Sequence, residues 1–162
     1  MSHNAWHNAR TMYEQDACAQ ALGIDIIDMD DGYAVVTMTI TPQMLNGHKT
    51  CHGGQLFSLA DTAFAYACNS QGLAAVASGC AIDFLRPGFA GDTLTATARV
   101  IAVSTEPISQ KVRPKVSSAM TMTAAMQTAT GTTGDWVTVM MRSAVLANAF
   151  EKISSSLTEE SL

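Results

Sequence analysis

One carboxylate stands out among the residues that could do chemistry, because its surroundings are apolar. The stretch Asn46–Asn69 reads NGHKTCHGGQLFSLADTAFAYACN, and Asp61 is its single acidic residue. A helix that is apolar on nearly every face is a buried helix, and a buried carboxylate is costly unless it is paired or used. The pattern predicts that Asp61 is a general base or a nucleophile; the alternative is a helix carboxylate that faces solvent or pairs with a distant cation.

Two glycines precede this helix, which we predict to run over Gln55–Asn69. Free N–H groups at a helix start point outward, and the helix dipole favours negative charge there. Gly53 and Gly54 could therefore hold an oxyanion that develops on a carbonyl, although glycines at this place also serve simply to make a tight turn.

The loop before the helix carries further polar candidates. His52 is a candidate base, ligand or ordinary loop residue, and Asn46 could orient water or substrate or be a turn residue. His48 lies four residues before His52, but Gly47 and the loop setting make metal-ligand spacing unconvincing, so we predict no metal. No nucleophile elbow, phosphate loop or dinucleotide fingerprint occurs.

The elements that must position these residues follow from periodicity. We predict a helix over Ala5–Ala21, from which Gln15 or Asp16 could reach the site. Alternating patterns and turn signals predict strands, which are Ile24–Asp28, Tyr33–Thr41, Cys80–Phe84 and Thr93–Val103. Residues 106–135 show no clean period, and two short strands, Trp136–Val139 and Ala144–Phe150, are predicted around Arg142 and Ser143.

This order of elements predicts an α+β fold. Strands that no crossover helix connects form an antiparallel sheet, and one helix buries all its faces only if that sheet curls around it. The 162 residues fit one domain, which we place at 1–150 with an atypical segment at 104–135. Residues 151–162 form a polar tail that we expect to be disordered.

Composition excludes several classes of function. Nine Lys and Arg against 14 Asp and Glu give a formal charge of −5, which argues against a nucleic-acid surface. No apolar run is long enough to span a membrane, and the first residues show no secretory signal. None of the four cysteines forms a CxxC pair, which argues against a zinc site. Without a signal or a membrane span, we expect a reduced, cytoplasmic setting as the default.

The stretch NGHKTCHGGQLFSLADTAFAYACNSQG, with the later FLRPGFAGDTLTATARV, resembles the hotdog-fold acyl-CoA thioesterases. The likeness covers roughly residues 1–102. It is greatest to the phenylacetate-degradation thioesterases, which hydrolyse phenylacetyl-CoA and its hydroxylated forms. The resemblance implies an antiparallel sheet around one long helix, no cofactor and no metal, and an acyl-CoA substrate. It also implies a homodimer that commonly pairs into a homotetramer, with sites shared between two subunits.

The same resemblance implies residue roles. Asp61 would be the base or nucleophile, Gly53 would offer its N–H to the thioester carbonyl, and Asn46 and Thr62 would position water or Asp61. Its implied substrate-binding residues are His52, Gly54 and Gln15. The C-terminal third departs from the family pattern after Val103, and the proposed catalytic residues all precede that point.

Two other functions remain compatible with the sequence. A non-catalytic acyl-CoA binder would need the pocket but not the base. A hotdog enoyl-CoA hydratase or dehydratase would pair a histidine with an acid, for which His52 and Asp61 are the candidates. The HGG and LAD spacing favours the thioesterases over the dehydratase.

Overall fold

A six-stranded antiparallel sheet and three α-helices form the part of the chain that the computed structural model describes, residues 2–72, 74–100, 118–127 and 133–145. The helices are α1 (His3–Gln15), α2 (Ala17–Ala21) and α3 (Gly53–Asn69), and a 3-10 turn covers Pro42–Met44. The strands are β1 (Asp25–Asp30), β2 (Tyr33–Thr39), β3 (Ala75–Phe84), β4 (Thr93–Val100), β5 (Ser118–Gln127) and β6 (Thr133–Val145).

The strands follow the order β1-β2-β4-β5-β6-β3, so β1 and β3 are the two edges. On β2 and β4 the predicted alternation is confirmed. Val36 lies opposite Ala96 and Met38 opposite Leu94, and all four side chains are buried, whereas the threonines between them face away from the core. This face of the sheet forms one wall of the core.

Helix α3 packs on that wall and contacts β2, β4 and β3. Leu59, Ala63 and Phe64 are fully buried, as expected for a central helix wrapped by a sheet. The predicted hotdog arrangement is confirmed. One side of the helix differs from the prediction, because Phe57, Asp61 and Thr62 are only half-buried. The sheet and α1 leave this side partly uncovered.

The single helix predicted over Ala5–Ala21 is wrong, because the chain breaks at Asp16. The Asp16 backbone is not helical, and its carboxylate accepts a hydrogen bond of 2.9 Å from Ala19 N. An aspartate that bonds to nearby backbone amides competes with helix continuation and favours a cap. Asp16 therefore ends α1 and starts α2.

Two predictions for the later strands also need correction. The run within 106–135 that lacked a period contains β5, and β6 is one continuous strand in which Arg142 and Ser143 are paired residues. Pairing with β5 on one side and β3 on the other accounts for the length of β6. Residues 101–103, 146–150 and the tail 151–162 lie outside the described residues.

The end of α3 is fixed by polar side chains. Ser70 is fully buried, its hydroxyl donates to Ala67 O at 2.9 Å, and it accepts from Gly32 N at 2.7 Å. Gly32 has a φ of 67°, which the predicted turn between β1 and β2 requires. These bonds join the helix end to the β1–β2 hairpin and so fix the direction of α3.

Candidate active site

The first turn of α3 presents one free amide. His52 is the N-cap: its Nδ1 accepts from Gly54 N at 3.1 Å, and its carbonyl accepts from Gln55 N and Leu56 N at 2.9 and 3.4 Å. Within the described residues no acceptor meets Gly53 N–H. The helix dipole and this unused donor make Gly53 the place where the helix can bind an oxyanion.

The preceding loop is organised by Asn46. Its Oδ1 accepts from His48 N at 2.9 Å and from Thr50 N at 3.3 Å, and its Nδ2 lies 3.0 Å from Thr50 Oγ1. Asn46 N also donates to Thr50 O at 2.8 Å. The Asn46 side chain therefore closes this loop and holds the chain that enters α3 in place.

A cavity of about 330 Å³ opens beside the helix start. Its lining mixes apolar, polar and cationic side chains: Asn46, Thr50, Cys51, Gly53, Leu56, Phe84, Leu85, Arg86 and Pro87. Burial raises the pKa of the Cys51 thiol to about 11, so this group stays protonated and is a poor nucleophile.

Asp61 lies in the middle of α3 with its carboxylate half-buried. Burial, and secondly the negative charge of Asp16, raise the pKa of Asp61 above its usual value of 3.8. In the described part of the chain neither a hydrogen bond nor an ion pair reaches this carboxylate. A desolvated, unpaired carboxylate of this kind is suited to accept a proton from water.

Asp61 and Gly53 do not meet within one chain. Asp61 lies eight positions after Gly53 in α3, which corresponds to roughly 12 Å along the helix axis. A single thioester carbonyl cannot contact both groups of the same chain. Thr62 follows Asp61 and is also half-buried.

At the α1–α2 junction, Asp16 and not Gln15 influences Asp61. Gln15 is exposed at the end of α1, whereas Asp16 is half-buried and raises the pKa of both Asp61 and Tyr66. Burial is the larger cause for Tyr66, whose side chain is 1 % exposed and whose hydroxyl has no partner among the described residues. Sequence patterns did not indicate Tyr66, because an aromatic residue in an apolar helix is typical of a core.

Phe84 is a second residue that sequence reasoning did not assign to the site. Its ring lies against Gly53, although it sits 31 positions further along the chain, at the end of β3. Its position before the Leu85-Arg86-Pro87 break was the available signal. Among the residues described, no group of three or more His, Cys, Asp or Glu side chains could hold a metal ion.

An antiparallel sheet wrapped around a central helix, with an unpaired carboxylate in the helix and a free amide at its start, defines a hotdog-fold protein with a hydrolase-like site. A family model described as the thioesterase superfamily matches residues 48–108. The acyl-coenzyme A thioesterase PaaI of Escherichia coli (strain K12) is 84% identical over 100 residues, which are 62% of this chain and 71% of that protein.

Solved structures of similar fold agree with this similarity to thioesterases. The E. coli PaaI protein from the phenylacetic acid degradation operon has 59% sequence identity and a TM-score of 0.74, covering 90% of this chain and 96% of that one. A mutant phenylacetic acid degradation protein PaaI from Thermus thermophilus has 28% identity and a TM-score of 0.68, covering 81% and 100%. The chain belongs to the thioesterase superfamily. No helix among the described residues is long and apolar enough to cross a membrane.

Proposed function

We propose that the chain is an acyl-CoA thioesterase that hydrolyses phenylacetyl-CoA or hydroxylated phenylacetyl-CoA to the free acid and CoA in phenylacetate catabolism. The observation that carries this proposal is the unpaired, half-buried Asp61 on the same helix that offers a free Gly53 amide among the described residues. The relative named acyl-coenzyme A thioesterase PaaI, and the phenylacetic acid degradation operon from which the solved PaaI protein comes, support the substrate class.

In the proposed reaction, a water oxygen attacks the thioester carbonyl carbon and its proton passes to Asp61. The carbonyl oxygen becomes an oxyanion and accepts a hydrogen bond from Gly53 N–H. Collapse of the intermediate breaks the C–S bond, and the CoA thiolate leaves and takes up the proton. Asp61 could instead attack the carbon itself and form an anhydride that water then opens; transfer of a solvent oxygen isotope into the Asp61 carboxylate would mark that route.

Two chains would share each site. Because roughly 12 Å of helix separates Asp61 from Gly53, we place the Asp61 of one subunit opposite the Gly53 of another. Edge strand β3 supports such pairing: it is ten residues long, and Ala77, Gly79 and Cys80 are exposed small residues without charge. Unprotected edges of this kind pair with another chain, so we propose a homodimer, and a dimer of dimers as the tetramer.

The remaining candidates have supporting roles in this proposal. Asn46 keeps the loop in place and lines the cavity, and Thr62 borders Asp61 and helps to position water. His52 is the N-cap of α3, and its side chain accepts the hydrogen bond of Gly54 N–H. Among the described residues, Gly53 N–H is left without an acceptor. Gln15 would contact the acyl group from the end of α1, and no metal or organic cofactor takes part.

We also propose that the enzyme works in the cytoplasm. None of the four described cysteines forms a disulfide bond, and Cys18 and Cys80 are exposed. Exposed cysteines outside disulfide bonds suit a compartment that keeps thiols reduced.

Asp61→Asn tests the proposal with phenylacetyl-CoA as substrate and release of free thiol as the readout. Loss of the base should lower kcat by about 10²- to 10⁴-fold while the protein stays folded. Asp31→Asn, in the exposed β1–β2 turn, is the matched control and should leave the rate unchanged. Near-normal turnover by Asp61→Asn would refute the assignment, and tight binding of CoA esters without any hydrolysis would favour the non-catalytic binder.

A further inference from the structure

The Phe84 ring points its tip at the start of α3. A Cβ atom placed on Gly53 would lie 3.0 Å from Phe84 Cζ, 3.2 Å from Cε1 and 3.6 Å from Cε2. The three atoms are the far end of the ring, so the ring approaches Gly53 end-on. The contact exists only because residue 53 has no side chain.

The same ring is about half exposed to solvent. Phe84 is 52 % exposed, yet it lines the cavity beside Leu56 and Leu85 and borders the one amide of the first helical turn that the described residues leave free. The ring is exposed apolar surface, and beside it lies a hydrogen-bond donor that the described residues leave unused. A bound ligand that fills the cavity would cover both.

We propose that Phe84 is a positioning residue for thioester hydrolysis, whose ring keeps water away from the Gly53 amide and directs the thioester oxygen onto it. The proposal rests on the function proposed above and adds a residue to it. Hydrogen bonds to a developing oxyanion are stronger where water is excluded, so a ring that shields the amide acts mainly in the transition state. Phe84 itself forms no bond to the reacting atoms.

Phe84→Ala tests this, with kcat and KM for phenylacetyl-CoA measured separately. Because the shielding acts in the transition state, kcat should fall on the order of tenfold while KM changes little. Phe84→Tyr, which keeps the ring, should restore kcat to near the parent value. Phe89→Ala is the matched control, because Phe89 is equally exposed at 52 % but does not line the cavity.

A double substitution tests the contact itself. Gly53→Ala forces the ring tip to move, so part of its loss in kcat should come from the displaced ring. Gly53→Ala combined with Phe84→Ala should then lose less than the product of the two single losses, which marks coupling between the two positions. Circular dichroism and a size measurement on each variant separate this from unfolding.

The outcomes distinguish the two proposals. A loss in Phe84→Ala no larger than in Phe89→Ala, a rise in KM alone, or no rescue by Phe84→Tyr would overturn the role of Phe84. A loss in kcat of the double variant that equals the product of the two single losses would also overturn it. Absence of hydrolysis by the parent protein, by contrast, would overturn the thioesterase function itself.

Discussion

At the scale of single residues, the proposed mechanism makes activity depend on the charge of two carboxylates, Asp61 and Asp16. Asp61 accepts a proton only when ionised, and its pKa is raised by burial and then by Asp16. In the pH profile of kcat/KM, the midpoint of the acid limb should therefore lie above the usual pKa of an aspartate. Activity should be lost as the pH falls through the raised pKa of Asp61. A pH profile measured with phenylacetyl-CoA checks this.

Asp16→Asn should move that limb to lower pH. The substitution removes the negative charge that disfavours ionised Asp61, and asparagine still serves as the N-cap of α2. Asp25→Asn on β1 changes the net charge equally at an exposed position and should leave the limb in place. An unchanged limb in Asp16→Asn would show that burial alone sets the pKa of Asp61.

Ionised Asp61 should also destabilise the folded protein at neutral pH. A carboxyl whose pKa is raised in the folded state binds its proton more tightly there, so stability is highest below the unfolded pKa and declines as the pH rises through the folded one. Asp61→Asn should therefore unfold at a higher temperature than the parent at pH 7, and the difference should disappear in acid. A parent protein that is the more stable one at pH 7 would contradict this.

At the scale of elements, the end of α3 depends on one buried hydroxyl. Ser70→Ala leaves Gly32 N–H without its partner, which should lower the free energy of unfolding by about 1–3 kcal/mol. Ser58→Ala is the control, because the Ser58 hydroxyl donates only to Gly54 O within the helix. Urea denaturation of both variants makes the comparison, and equal stabilities would contradict the role of Ser70.

The elements also show what the sequence could predict. On β2 and β4, valine, methionine and leucine alternate with threonine, so the buried face was clear. In β5 the run SAMTMTAAMQ offers mostly alanine, methionine and threonine, whose polarities differ too little to show a period. Arg142 looked like an interruption, but pairing on both sides of β6 overrides that local signal.

The candidate site could be predicted where it depends on one segment. Asp61 and Gly53 stood out from the composition of their own helix, whose start provides free amides in any sequence. The closeness of Asp16 to Asp61, and of Phe84 to Gly53, depends on how distant elements pack. No local pattern carries that information.

At the scale of the whole molecule, β3 should be the edge that pairs. Among the described residues nothing lies within 4 Å of a Cβ placed on Gly79, so Gly79→Lys is a suitable probe of this edge. A lysine there should still block an approaching second edge and shift the protein towards monomers with reduced activity. Ala21→Lys adds the same charge on α2 and should keep the parent size by light scattering. If the Gly79→Lys protein keeps the size of the parent assembly, β3 is not the edge that pairs with a second chain.

The most direct test of a thioesterase site shared between chains is complementation between two inactive variants. Asp61→Asn and Gly53→Ala subunits are unfolded together, refolded and assayed with phenylacetyl-CoA. If Asp61 and Gly53 come from different chains, each mixed dimer holds one intact site, and random mixing restores about a quarter of the parent activity. The contradicting result is a mixture that forms mixed dimers but is no more active than either variant alone. Asp61 of one chain and Gly53 of the other would then not share an active site.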